Sequence, residues 1–154
     1  MREIVIYRTN PERIISLAVR DSIFNQEPHW RRLEEYMRRN RLVKTGSEIV
    51  IFHYDPKEVI DPEWVNYEMA IPVFGEPQEP DPEILLKELP SILVASIIHR
   101  GHFDDIEKSY NKLLAWIKKK GYKTSGPAIE IRLRGRSAID DERGLITEIQ
   151  FPIS

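Results

Sequence analysis

Cysteine is missing from the 154 residues, which removes disulfides, thiolate nucleophiles and cysteine-ligated zinc together. Long apolar runs are missing too. None approaches the roughly 20 residues of a membrane-spanning helix, and the N-terminus lacks the charged-then-apolar order of a signal peptide. A cytoplasmic protein without membrane contact is expected. Neither sign of charge is in excess: 23 Lys and Arg face 25 Asp and Glu, a formal net charge of −2. A nucleic-acid binder carries a clear basic surplus, so DNA binding by the chain on its own is not expected. Glycine is scarce at seven and scattered, leaving no phosphate-cradling loop, and no Gly-x-Ser-x-Gly turn is present. His99 and His102 are three apart, and His29 and His53 add no fitting donors. Neither a metal nor a cofactor is expected.

What is present describes a folded chain, with 41% hydrophobic and 31% charged residues. Strand propensity and alternation mark Glu3 to Thr9, Ile14 to Val19, the run around Ile49 and Ile51, and Tyr67 to Val73. Further strands are expected at Ile84–Leu89, Ile92–His99, Ala128–Leu133 and Leu145–Ile153. Helical spacing predicts one helix over 29–41, with Trp30, Leu33 and Met37 on its apolar stripe, and a longer one over 104–120. Asp104 or Asp105 is placed to cap the second helix and Gly121 to end it. The arginine pairs Arg31-Arg32 and Arg38-Arg39 read as a solvated helix face, with Glu35 four residues before Arg39 for pairing. Asp55 to Asp61 and Asp140-Asp141-Glu142 read as charged turns. The five prolines from Pro72 to Pro90, both included, interrupt the pattern, and residues 75–82 read as a linker.

The chain repeats itself at an offset of 80. Trp30 falls on Tyr110, Leu33 on Leu113, Tyr36 on Trp116, Gly46 on Gly126, Ile49 on Ile129, Glu68 on Glu148 and Pro72 on Pro152. Glycine, proline, aromatic and acidic positions all align at one shift. The expected fold is α+β: a duplicated strand–helix–strand–strand module forming an antiparallel-rich sheet, two main helices on one face and a central ligand groove. The pseudo-repeats would be 1–74 and 83–154 of a single domain over 1–154.

Glutamate is disfavoured in strands, yet Glu68 and Glu148 occupy the same strand position in both copies. A carboxylate ringed by aromatic side chains is a receptor for cationic or polar ring compounds, because burial strengthens its attraction and the rings add cation–π contacts. Trp30, Tyr36, Tyr110 and Trp116 are the candidate walls. Trp30 and Tyr110 lie in line with Leu33 and Leu113 and suit the core, whereas Tyr36 and Trp116 lie off that stripe and suit a pocket. His99, closing a strand, is a hydrogen-bonding candidate.

The run from Leu89 to Pro152 resembles the GyrI-like small-molecule-binding domain, the AraC-type effector-binding domain of multidrug-sensing regulators. His99-Arg100-Gly101, then Phe103, Ile106, Tyr110, Leu113, Trp116 and Gly121-Tyr122 carry the resemblance, followed by Gly126-Pro127 and Thr147 to Pro152. Tyr67 to Val73 resembles the matching strand of the first half. Asn25-Gln26-Glu27-Pro28 departs from the family's Gly-aromatic turn before the first helix. The resemblance implies a groove that binds bulky cationic or aromatic compounds, with Glu148 in it and Tyr110 and Trp116 near it. The ligand-binding candidates are thus Glu148, Glu68, Trp116, Tyr110, Tyr36, Trp30, Phe103 and His99. With a strand starting at Glu3, a free-standing member without a helix-turn-helix reader is expected. Sensing or sequestering a small ligand is the leading function. The alternatives are a hydrolase of reactive cyclopropane-type toxins, with Glu148 or Glu68 as base and Tyr110 or Tyr36 donating a proton, and a gyrase-inhibitor-like module acting on a topoisomerase.

Overall fold

A computed structural model describes residues 3–53, 61–134 and 144–154, with the side chain of Phe103 excepted. The turns expected at 55–61 and 140–142 lie outside the described residues except for Asp61. The fold is α+β, with nine strands and two α-helices among the described residues. The strands are β1 (Ile4–Arg8), β2 (Glu12–Asp21), β3 (Val43–Lys44), β4 (Glu48–Phe52), β5 (Val65–Phe74), β6 (Ile84–Leu89), β7 (Leu93–Arg100), β8 (Ala128–Arg134) and β9 (Ile146–Pro152). The helices are α1 (Glu27–Arg39) and α2 (Ile106–Lys119).

The chain divides into two compact units. Unit 2 is Pro11–Pro90, and unit 1 combines Met1–Asn10 with Ser91–Ser154. In unit 2 the antiparallel order is β4-β5-β2-β6, with β3 on the end of β5. In unit 1 it is β8-β9-β7-β1. Both units therefore contain the strand–helix–strand–strand module, and the register repeats at the offset of 80. Ile14 faces Pro72 and Ala18 faces Glu68 in one, while Val94 faces Pro152 and Ile98 faces Glu148 in the other. The outer strands extend the correspondence: β6 sets Lys87 opposite Ile14, and β1 sets Tyr7 opposite Val94. Each outer strand lies beside the module's first strand, yet β1 reaches β7 from the far end of the chain. Thr9 secures that junction, its backbone amide donating to the Ile92 carbonyl at 2.8 Å.

Residues 75–82, expected to be a linker, lie inside unit 2. Proline removes donors, and two of those that remain are satisfied by one side chain: the buried Asn40 side-chain oxygen accepts from the amides of Gln78 at 2.8 Å and Glu79 at 2.7 Å. Arg32 adds contacts to Asp81 at 3.3 Å and Glu83 at 3.0 Å. On α1, Glu35 pairs with Arg38 rather than with the expected Arg39; three residues along a helix also share one face.

The helices begin and end close to expectation. Pro28 stands in the first turn of α1, where its missing N–H costs nothing. A 3-10 turn, Phe103–Asp105, leads into α2, and Asp105 takes the N-cap position without a side-chain cap bond. Past the C-terminus Gly121 has φ +84°, and the equivalent Arg41 adopts φ +54°. Gly46 and Gly126 pack closely on prolines: a Cβ at either would stand 3.1 Å from a ring carbon of Pro72 or Pro152.

Candidate functional site

Strand alternation brings four side chains of unit 1 together on one sheet face. Glu148 and Gln150 are two apart on β9, and Ser96 comes from β7 and Tyr7 from β1. The face is the one turned away from α2, because Tyr110 and Ser109 of α2 meet Phe151 and His99 on the other side. Ser96 donates to Glu148 Oε2 at 2.8 Å and Gln150 Nε2 donates to the same oxygen at 3.0 Å. The Tyr7 hydroxyl also donates to Oε2 and accepts from Gln150 Nε2 at 2.8 Å. Partial burial first, then the hydrogen bond and negative charge of Glu148, raise the Tyr7 phenol well above its ordinary value. It therefore remains a proton donor throughout the physiological range. The half-buried Glu148 carboxylate is fixed by three donors, every one of them neutral.

Unit 2 builds the corresponding arrangement differently. Ser16, 80 residues before Ser96, donates to Glu68 Oε2. Lys87, 80 residues after Tyr7, sets its ammonium 2.5 Å from the same oxygen. His53 Nε2 stands 3.0 Å from Oε1. Glu68 is only 7% exposed. Burial pushes its carboxyl up, but the hydrogen bonds from Lys87, Ser16 and His53 together outweigh it and hold the group below the usual value. Glu68 is an anion neutralised by an ammonium of its own unit.

A third carboxylate, Glu130 on β8, is buried in unit 1 and accepts from the Tyr110 hydroxyl at 2.5 Å and Arg132 at 2.9 Å. Tyr110, whose ring meets Phe151 edge-on at 5.9 Å and 83°, thus serves Glu130 and not Glu148.

The remaining candidates are dispersed. Trp30 and Tyr36 are both 1% exposed and form core, whereas Tyr110 and Trp116 are half-buried. This corrects the expected division, in which Tyr110 was core and Tyr36 was not. On α1 the buried positions 30, 33 and 36 are three apart, whereas on α2 the buried positions 109, 113 and 117 are four apart, so only Leu33 and Leu113 correspond at the offset of 80. Lys120 lies 5.8 Å from the Trp116 ring centroid. His99 is fully buried, with Ser109 Oγ 2.8 Å from Nδ1 and the His102 carbonyl 2.9 Å from Nε2. Phe103 lies in the 3-10 turn. The sequence reading passed over Tyr7, Ser96 and Gln150 around Glu148, and Ser16, Lys87 and His53 around Glu68. Their signal was the offset itself, which pairs Ser16 with Ser96 and Tyr7 with Lys87.

Among the described residues, no group of three or more His, Cys, Asp or Glu is placed to hold a metal ion, and no helix is long and apolar enough to cross a membrane.

Residues 3–154 match the model of the GyrI-like small molecule binding domain. No curated protein matches the chain in sequence. Among solved structures, the EcmrR C-terminal domain superposes with a TM-score of 0.88 at 19% identity, covering 100% of this chain and 98% of that one. EcmrR in its DNA complex gives 0.84 at 18% identity, covering 99% of this chain, which spans 57% of that longer one. A hydrolase encoded by lin2189 from Listeria innocua gives 0.71 at 8% identity, covering 99% and 92%. SAV2435 bound to tetraphenylphosphonium gives 0.59 at 13% identity, covering 99% and 94%.

Proposed function

The chain belongs to the GyrI-like small molecule binding domain family, and from that premise we propose that it binds organic cations, with Glu148 as the counter-charge. The observation that carries this reading is the neutral donor set of Glu148. Three hydrogen bonds fix the carboxylate in place, so little order has to be gained on binding. None of them cancels its charge. Partial burial strengthens what that charge attracts, and the Tyr7 ring beside it offers an aromatic surface. The fold likeness to SAV2435 bound to a lipophilic monocation points the same way. We assign residues 1–154 to one cytoplasmic binding domain that senses or sequesters its ligand.

The test is a calorimetric titration with tetraphenylphosphonium. Glu148→Gln keeps the shape and removes the charge, and should weaken binding about ten- to a hundredfold. Equal affinities of wild type and variant would end the assignment.

One observation favours a hydrolytic reading: a phenol that keeps its proton touches Glu148, a carboxylate able to act as base toward water. In that reading the donor is Tyr7, since Tyr110 is bound to Glu130 and Tyr36 is in the core. Incubation with a cyclopropane-bearing electrophile separates the two. Turnover lost in Tyr7→Phe supports hydrolysis, and stoichiometric protection supports binding.

A further inference from the structure

Glu68 and Glu148 occupy the same register position, each with a serine from the module's first strand on one carboxylate oxygen. They differ in what the outer strand supplies. Unit 1 presents the Tyr7 hydroxyl, and unit 2 presents the Lys87 ammonium 2.5 Å from Glu68 Oε2. A second titratable donor, His53, reaches Glu68 at 3.0 Å, whereas the position 80 residues on is Leu133. We infer that unit 2 holds a second carboxylate receptor already loaded with the chain's own cation: Lys87 stands where an external ammonium or other organic monocation would bind, so each chain offers one cation site and not two. The inference deepens the assignment of Glu148 as a cation receptor and rests on it.

The physical argument is competition at fixed geometry. An ammonium tethered beside Glu68 is present at an effective concentration far above that of any free ligand, on the order of millimolar for a short flexible link. It donates up to three hydrogen bonds with full positive charge. A free monocation gains nothing by displacing it. A tyrosine hydroxyl on the same strand position satisfies the carboxylate oxygen and leaves its charge uncancelled.

A reciprocal exchange tests this. Tyr7→Lys should load Glu148 and lower tetraphenylphosphonium affinity about ten- to a hundredfold with the glutamate still in place. Lys87→Tyr should raise the stoichiometry from one to two, with the added site lost again in Lys87→Tyr/Glu68→Gln. Circular dichroism and thermal melting check that each variant is folded. Two sites in the wild type, or one site in folded Lys87→Tyr, would overturn the inference while leaving Glu148 as a receptor. A readout independent of Glu148 is rescue of Lys87→Ala. Butylammonium should raise its melting temperature where equal sodium does not, and should fail on Lys87→Ala/Glu68→Gln. Failure of the wild type to bind tetraphenylphosphonium defeats the assignment of Glu148, and the rescue then decides the loading of Glu68 by itself: rescue supports it, and none overturns it.

Discussion

A hydroxyl and an ammonium at equal distance from a carboxylate both satisfy its oxygen, but only one removes its charge. That single difference separates Tyr7 from Lys87, and it has consequences that titration reads. The Tyr7 phenol is raised by burial and by Glu148, and burial with the nearby Asp21 charge pushes Tyr67 up to about 12. Phenols with raised values contribute stability that is fully present below about pH 10 and is lost as pH climbs toward the folded value. Native wild type and Tyr7→Phe should therefore show the same tyrosinate absorbance at pH 11, and should differ by one tyrosine after denaturation. A full tyrosine of difference in the native state would contradict the Tyr7–Glu148 bond. Glu68 runs the other way. Its carboxyl is lowered, so its contribution is present above the ordinary glutamate value of about 4.3 and fades as pH falls through the folded value. Lys87→Met should cost about 1–2 kcal/mol at pH 7, discounted because the Lys87 side chain is 40% exposed. In urea melts that gap should close below about pH 4, and a gap constant with pH would speak against the pair.

At the scale of elements, Gly46 and Gly126 are a matched pair of tests. An added Cβ at either would press on a proline ring held in a strand, at 3.1 and 3.3 Å in both copies. Overpacking of that kind costs about 1–3 kcal/mol, against up to about 1 kcal/mol regained from the unfolded chain. Each Gly→Ala change should therefore destabilise by about 1 kcal/mol in urea unfolding, and by similar amounts at the two sites. Stabilisation at both would mean that the prolines yield. The same elements explain what could be read before the structure. β5 and β9 announce themselves because Met69, Ile71 and Val73, or Ile149, Phe151 and Ile153, alternate with other residues, and alternation is local. β3 has two residues and no pattern to detect. That Tyr36 is buried while Trp116 is half-buried depends on how each helix seats on its sheet, which helical spacing alone does not determine. Glu148 was legible as a duplicated charge, but its partner Tyr7 comes from a strand 141 residues away. Only the register, or a deliberate comparison of unlike residues at the offset of 80, brings Tyr7 and Lys87 into view.

For the whole molecule, the question left by a fold shared with EcmrR in its DNA complex is whether this chain touches DNA by itself. A DNA-reading face needs positive charge that remains uncompensated, because affinity rests on counterions released from phosphates. The net charge is −2, and the arginines of α1 are mostly engaged. Arg31 lies 3.6 Å from Glu27, Arg38 is paired with Glu35, and Arg32 reaches both Asp81 and Glu83. Exposed pairs of this kind are individually weak. They nevertheless place an acid beside each of these bases, and the field beyond the surface is the sum of both. The chain alone should leave random duplexes unretarded in gel-shift assays at micromolar protein and about 150 mM salt. Lowering the salt to about 10 mM should produce at most a diffuse, sequence-independent retardation, since the Debye length then grows to about 30 Å. Glu35→Gln and Asp81→Asn would free charge on Arg38 and Arg32 and should enlarge that low-salt effect without adding sequence preference. A discrete, salt-resistant band with the unmodified chain would show that this face reads DNA, and the charge argument would fall.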